Sequence, residues 1–145
     1  VIDKSVKELI ISESNNRVPF ETGGILIGIF ESSKIVLTHA SIAGPQAVHT
    51  PSNFIRDGDY TQQFLDDIVY QSNTSVNYIG EWHSHPSNCG PSQKDIQAMR
   101  WIASNSNYNV ATPVMGLCIK RGVSWQLRIY ILQNGLLREL KEALS

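Results

Sequence analysis

The chain of 145 residues has the length of one ordinary domain, and its 41% hydrophobic residues suit a folded core rather than a disordered segment. Twelve basic and thirteen acidic residues leave a net charge of −1, which provides no electrostatic basis for binding nucleic acid or an anionic membrane. Two cysteines are too few for a disulfide framework, and no apolar run approaches the ~20 residues of a membrane-spanning helix. We therefore expect one cytoplasmic domain over 1–145, without a signal peptide, that is an enzyme or a binding module.

The first half of the chain predicts a helix, a hairpin and a second helix. Apolar residues at helical spacing indicate an amphipathic helix that opens the chain and ends near Asn15. The apolar run 25–30 predicts a buried strand, and a turn at Ser32 joins it to a second strand over 35–43. Residues 44–53 contain two prolines and predict a loop. The second helix is marked by its apolar positions: Tyr60, Phe64, Leu65, Ile68 and Val69.

The middle of the chain predicts a strand, a short loop and a third helix. Residues 76–82 indicate a strand that runs into His83 to Pro86, where the proline should stop regular pairing. A small loop over 87–91 precedes the helix. Its apolar positions are Ile96, Met99, Ile102 and Ala103.

The last third of the chain is dominated by strands. Two strands are expected over 114–119 and 123–132, and Asn134 with Gly135 is a strong hairpin signal. The leucine-rich tail from Leu136 predicts a strand followed by a helix. Strands and helices alternate irregularly, which favours a mixed α/β sandwich of sheet and helices.

A histidine pair at the end of the third strand carries the chemical signal. Side chains at i and i+2 of an extended backbone point the same way, so His83 and His85 present both imidazoles to one side. Asp95 follows after a loop short enough to return the chain over them. Two imidazoles and a carboxylate leave the fourth position of tetrahedral zinc to water, as in a catalytic site. With Pro86 and Ser92 at their offsets, the pattern arises by chance on the order of once in 10⁵ chains.

Each of these residues also has a plainer interpretation. The two histidines, taken alone, suit buried structural positions. Ser92 as N-cap and Asp95 in the first turn suit the start of the third helix, and this interpretation is compatible with a metal site because a helix N-terminus aims both side chains. Cys89 lies four residues after His85 and can in principle reach a metal, although it lacks the paired spacing of thiolate sites.

The other chemistry-bearing residues are expected to be structural. His39 and His49 have no spaced partners, and Cys118 lies in an apolar strand. No basic groove accompanies the tryptophans, so packing is the preferred interpretation for all three: Trp82, Trp101 and Trp125.

At this point the sequence resembles the JAMM (JAB1/MPN+) metalloproteases. The resemblance is carried by Glu-Thr-Gly-Gly-Ile-Leu-Ile-Gly over 21–28 and by His-Ser-His-Pro with Ser-Gln-Lys-Asp over 83–95, within about half of the chain. Gly-Pro-Gln-Ala-Val over 44–48, with Phe54 and Asp57 beyond it, is similar to the bacterial JAB branch. That branch includes peptidases encoded beside homologues of ubiquitin-activating and ubiquitin-conjugating enzymes, among them those of CBASS antiphage operons.

One departure concerns the loop that crosses the predicted metal site. Five residues separate Pro86 from Ser92, where many members of the family have six. The change alters the path of the loop and leaves the ligand set intact.

The resemblance implies a fold and a set of residue roles. The fold is the MPN/JAB1-like, cytidine-deaminase-like sandwich, with a curved mixed sheet and flanking helices. One catalytic zinc ion is held by His83, His85 and Asp95, with Glu21 as the general base and Ser92 as a donor to the oxyanion. Nothing in the local spacing brings Glu21 to the metal, and taken alone it is a solvated link residue.

The function implied is that of a zinc metallopeptidase. It cuts a peptide or isopeptide bond at the C-terminus of a ubiquitin-like or conjugated protein by direct attack of water, and bacterial antiphage defence is one expected setting. The substrate tail is expected to lie extended along a strand edge. E1- and E2-like enzymes are the expected partners. Binding to nucleic acid or to a membrane is not expected. Two alternatives stay open: a non-catalytic MPN-type scaffold, which typically lacks the metal set, and a RadC-like protein associated with DNA repair.

Overall fold

A six-stranded sheet forms the centre of the protein in a computed structural model that describes residues 1–142. The elements in chain order are α1 (Lys4–Asn16), β1 (Gly23–Glu31), β2 (Lys34–Ala40), β3 (Val48–His49), β4 (Phe54–Ile55), α2 (Gly58–Gln71), β5 (Asn77–His85), α3 (Gln93–Ser104), β6 (Val114–Arg121), β7 (Ser124–Gln133) and β8 (Leu136–Leu140). The spatial order of the sheet is β2-β1-β5-β6-β7-β8. Neighbouring strands are antiparallel except β5 and β6, which run parallel. The predicted mixed α/β fold is confirmed.

Helices cover both faces of the sheet because its central strands are apolar on both sides. Strand β6 is buried from Val114 to Ile119, and its alternate residues face opposite ways. One core cluster joins β6 to α1, with buried members Val6, Ile10, Val114 and Cys118 among others. The other joins β6 to α3, with Met99, Ile102, Met115, Leu117 and Ile119. Each such aliphatic side chain contributes about 1.5–3 kcal/mol when fully buried.

The structure corrects one predicted loop. Val48 and His49, inside the predicted loop 44–53, form β3 and pair with β4. The turn between the two strands is closed by hydrogen bonds from the main-chain N–H and the hydroxyl of Thr50 to the carbonyl oxygen of Asn53, at 2.8 and 3.0 Å. Strands of two residues are too short to show an alternating apolar pattern, so the sequence does not reveal this hairpin.

The tail follows the prediction only as far as the described residues reach. The expected strand is β8, which pairs with β7. The helix expected after it is not present at Lys141 and Glu142, and the rest of that segment lies outside the described residues.

Within residues 1–142, no helix combines the length and the hydropathy that crossing a membrane requires.

Candidate metal centre

The C-terminal end of β5 presents two imidazoles to one cavity. His83 and His85 line it together, and their ring centroids lie 4.9 Å apart. Ser84, between them, is fully buried and is hydrogen-bonded to Thr22, the residue before β1. The strand alternation predicted from the sequence therefore holds at this site.

Asp95, in the first turn of α3, faces both histidines. Its Oδ1 lies 2.9 Å from Nε2 of His83, and its Oδ2 lies 3.7 Å from Nε2 of His85. One ligand atom from each of the three residues falls within 4.8 Å of the others. Zinc–ligand bonds of about 2.0–2.2 Å in a tetrahedron place ligand atoms roughly 3.3 Å apart, so these separations suit one zinc ion.

The hydrogen bonding of the two rings also fits a metal. The Nδ1 of His85 lies 3.0 Å from the carbonyl oxygen of Cys89, so Nδ1 carries the proton and Nε2 keeps its lone pair. The Nε2 of His83 is buried and, despite its closeness to Asp95, makes no hydrogen bond of acceptable geometry within the described residues. A buried nitrogen left without a partner is costly, and a metal ion would use its lone pair.

The carboxylate of Asp95 is held in its ionised form. Burial by itself would raise the pKa of Asp95, but the close approach of His83 and the main-chain N–H of Ser92 outweigh burial and lower the pKa to about 2. A metal ligand must be deprotonated, so Asp95 is ready to bind a cation at neutral pH.

Ser92 caps α3 and faces the same cavity. Its main-chain N–H donates to Oδ2 of Asp95 at 2.7 Å, and the N–H of Asp95 donates to Oγ of Ser92 at 3.3 Å, which forms a capping box. The cap uses the hydroxyl oxygen as an acceptor, so the hydroxyl proton stays available to a group in the cavity. The helix-start and site interpretations of these two residues therefore apply together.

The pairing of β1 with β5 brings Glu21 to the cavity. Gly23 is paired with His83, and the link residue Thr22 is hydrogen-bonded to Ser84 in both directions. Glu21, one residue earlier, lines a cavity of about 410 Å³ together with the two histidines, Ser92 and Asp95. The five residues proposed for the site from the sequence thus surround one space.

The environment of Glu21 favours proton transfer. Burial raises the pKa of its carboxyl group, and the nearby rings of His83 and His85 only partly offset that effect. A carboxylate with a raised pKa is the stronger proton acceptor near neutral pH.

The β3–β4 hairpin holds the main chain of Glu21 through contacts that no local sequence pattern indicates. The N–H of Glu21 donates to the carbonyl oxygen of Thr50 at 2.8 Å, and Nδ1 of His49 donates to the carbonyl oxygen of Glu21 at 2.9 Å. A Cβ atom at Gly23 would collide with the carbonyl oxygen of Trp82 on β5 and with the ring of Phe54, so glycine is required where β1 is held between β5 and the hairpin. His49 is structural, as expected, but its contact partner is the predicted base.

Residues 3–128 of this chain match the protein family described as prokaryotic homologues of the JAB domain. The match includes every residue of the candidate centre. The chain is a prokaryotic JAB-domain protein. The family resemblance seen in the sequence is thereby confirmed.

Three curated relatives of this JAB domain are informative. It is 35% identical over 106 residues to the CD-NTase/cGAS isopeptidase of Escherichia coli strain TW11681, covering 72% of this chain and 65% of the relative. It is 34% identical over 118 residues to the protein of the same name from Enterobacter hormaechei, covering 79% and 64%. It is 28% identical over 127 residues to the probable metalloprotease y4qB of Sinorhizobium fredii, covering 86% and 77%. The chain thus spans just under two thirds of the length of the two isopeptidases.

The fold also matches a solved structure. The solution structure of protein DSY2949 from Desulfitobacterium hafniense superposes with a TM-score of 0.68 over 99% of this chain and 91% of that one. The sequences are 16% identical, so this likeness concerns the fold alone.

A polar network at one end of the metal cavity of the JAB domain was also missed. Arg56 donates from Nε to Oε1 of Glu81 at 3.1 Å, from Nη1 to Oγ1 of Thr61 at 2.6 Å and from Nη2 to the hydroxyl of Tyr108 at 3.2 Å. The Tyr78 hydroxyl donates to Oε2 of Glu81 at 2.9 Å. Glu81 precedes His83 by two residues on β5, so its alternation with the histidines was the available signal.

Cys89 stands beside the metal centre without joining it. Its Sγ lies 3.5 Å from Nδ1 of His85, the nitrogen that does not face Asp95. Among the described residues, the group with metal-ligand distances contains His83, His85 and Asp95 and excludes this thiol.

Proposed function

We propose that this JAB domain is a zinc-dependent peptidase or isopeptidase that releases the C-terminus of a ubiquitin-like or otherwise conjugated protein. The observation that carries the proposal is the position of the Glu21 carboxyl group, which lines the same cavity as the group formed by His83, His85 and Asp95. A carboxylate beside three metal ligands is the arrangement that hydrolysis by water requires. The names of the relatives, isopeptidase and probable metalloprotease, support this reaction class.

The chemistry divides between the metal and two side chains. Zinc held by His83, His85 and Asp95 would supply a Lewis acid that polarises the scissile carbonyl group and lowers the pKa of water to about 7. Glu21 accepts a proton from the attacking water and passes it to the leaving amine. The hydroxyl of Ser92 donates a hydrogen bond to the carbonyl oxygen as negative charge develops on it. The water oxygen becomes part of the new carboxylate, and the carbon–nitrogen bond breaks to release the amine.

The proposed substrate is a protein with an extended C-terminal tail. The two relatives named CD-NTase/cGAS isopeptidase make a CD-NTase joined through an isopeptide bond the first substrate to test. Activating and conjugating enzymes of the E1 and E2 type are proposed partners, and antiphage defence in the bacterial cytoplasm is the proposed setting.

The assembled ligand set favours catalysis over the alternatives. A scaffold module does not require three converging metal-ligating side chains with a carboxylate beside them. The peptidase names of the relatives also favour peptide-bond chemistry over a role associated with DNA repair.

The proposal is tested with the full chain loaded with zinc, by comparing wild type with Glu21→Gln. We expect both proteins to hold one zinc ion per chain by elemental analysis, because Glu21 is outside the ligand group. Cleavage of an isopeptide-linked CD-NTase conjugate should fall by at least ~10²-fold in the variant. Glu31→Gln, at the exposed end of β1, is the matched control. Full activity of Glu21→Gln with zinc in place would show that Glu21 is not the base. A zinc-loaded wild type that cleaves neither the conjugate nor a fusion protein joined to the same C-terminal tail would refute the proposed activity.

A further inference from the structure

Three aromatic rings form a continuous row beside the metal cavity. The ring centroids of Trp101 and Tyr108 lie 5.5 Å apart in an edge-on arrangement, and those of Tyr108 and Tyr78 lie 5.3 Å apart. Tyr108 is fixed by the hydrogen bond that its hydroxyl accepts from Arg56. The indole of Trp101, on α3, is therefore supported along one side, while the residue remains 56% exposed.

Two members of the row, Trp101 and Tyr108, border two cavities. Trp101, Tyr108 and Arg56 line both the metal cavity and a neighbouring cavity of about 740 Å³. The second cavity has a mixed lining, in which apolar side chains from β1 and α2, such as Phe30 and Leu65, stand among polar ones such as Asn107. A chain that leaves the metal centre along this path therefore passes Trp101.

The spacing along α3 sets how far from the metal this contact occurs. Asp95 and Trp101 are six residues apart in one helix, which corresponds to about 9 Å along its axis. An extended peptide covers that length in about three residues. Ala98, between them, lines the metal cavity and its small side chain leaves the path open.

We propose that Trp101 is a specificity-determining residue, whose exposed indole binds an apolar substrate side chain two or three residues from the scissile bond. This inference rests on the proposed peptidase function and adds a sequence preference to it. Lys94 lines the metal cavity and disfavours a further cation there, while the ion pair with Glu81 offsets the attraction of Arg56 for an anion. An aliphatic or aromatic side chain is the group that gains most from covering an exposed indole.

The test measures a preference rather than overall activity. The zinc-loaded full chain is given peptides that carry the tail of the cleaved conjugate, with alanine, leucine, phenylalanine, glutamate or arginine at one position at a time. Wild type should cleave the leucine and phenylalanine peptides about tenfold faster than the alanine peptide at one position, two or three residues from the bond. Trp101→Ala should reduce that ratio to below about twofold, chiefly by slowing cleavage of the leucine and phenylalanine peptides.

Trp125→Ala is the matched control. Trp125 packs beside α1, where its indole N–H donates to Oδ1 of Asn15 at 3.2 Å, and it lines neither of the two cavities. We expect this variant to keep the preference. Trp101→Phe, which retains an aromatic face, should keep part of it.

Several results would overturn the inference. They are an unchanged preference in Trp101→Ala, an equal loss of rate for all peptides, and a wild-type preference for arginine or glutamate at that position. If wild type cleaves no peptide, the peptidase proposal fails separately, and calorimetric binding to zinc-loaded Glu21→Gln decides the inference. Leucine peptides should then bind about tenfold more tightly than alanine peptides, and only while Trp101 is present. Equal affinities, or no binding of any peptide, would refute it.

Discussion

Thr22 and Ser84 exchange two hydrogen bonds across the β1–β5 pair. The N–H of Thr22 donates to Oγ of Ser84 at 3.0 Å, and the N–H of Ser84 donates to the carbonyl oxygen of Thr22 at 2.8 Å. Because Ser84 lies between His83 and His85, these bonds place the residue before Thr22 beside the two imidazoles. The position of Glu21 at the metal centre is therefore a consequence of sheet register.

Removing the His49 contact should slow catalysis without loss of metal. In His49→Ala, the carbonyl oxygen of Glu21 loses its imidazole donor, and small misplacements of a reacting group cost up to about 10²-fold in rate. We expect kcat to fall by about tenfold or more, with KM and zinc content little changed. His49→Gln, which keeps an N–H donor, should recover part of the loss. His39→Ala, on β2, is the control, and an unaltered kcat in His49→Ala would refute a positioning role.

Ser92 should separate a folding contribution from a catalytic one. Ser92→Ala removes both the N-cap of α3 and the hydroxyl donor, so the free energy of unfolding should fall by about 1 kcal/mol and kcat by about 10²-fold. Ser92→Gly preserves most of the cap, at a cost of only a few tenths of a kcal/mol, but lacks the hydroxyl. Steady-state kinetics should give similar kcat values for Ser92→Ala and Ser92→Gly, while denaturant unfolding should show that Ser92→Gly is the more stable of the two. A Ser92→Gly enzyme as fast as wild type would mean that the hydroxyl has no catalytic role.

Zinc should stabilise the protein through His83, His85 and Asp95 alone. Zinc at about 100 times its Kd stabilises a folded protein by about 2.7 kcal/mol, which is visible as an increase in Tm. We expect this increase in wild type and in His39→Ala, and its loss in His85→Ala. Thermal unfolding with and without a chelator makes the measurement. An equal zinc response in His85→Ala would place the metal elsewhere.

In the metal-free protein, the ionised carboxylate of Glu21 should lower the free energy of unfolding at neutral pH. The folded state raises its pKa above the ordinary value of 4.5, so the folded protein binds this proton more tightly than the unfolded chain does. The resulting stabilisation is complete below pH 4.5 and is lost as the pH rises through the raised pKa. Metal-free Glu21→Gln should therefore have a higher Tm than metal-free wild type at pH 7, with a difference that shrinks toward pH 4.

Glu31→Gln serves as the control for that pH series, because Glu31 lies at the exposed end of β1. A difference between Glu21→Gln and wild type that grows on acidification would contradict the raised pKa. So would equal Tm values at pH 7.

The convergence of the candidate metal ligands could be predicted from the sequence because their geometry is local. Strand alternation turns His83 and His85 to one side, and the capping box of α3 orients Asp95 only ten residues later. The apolar patterns of α1, α3 and the long strands likewise predicted those elements. All of these features depend on backbone periods of a few residues, which a sequence displays directly.

The surroundings of those ligands depended on tertiary structure. Thr22 and Ser84 are 62 residues apart, and His49 reaches Glu21 across 28 residues, so no local period relates them. The same holds for the bond from Arg56 to Glu81 and for the ring contact between Tyr78 and Tyr108. The sequence by itself determined which side chains come together as candidate metal ligands, because neighbouring residues share one backbone geometry. Sheet register and the packing of the β3–β4 hairpin decided where Glu21 lies, because non-local pairing is selected by the burial of the whole core.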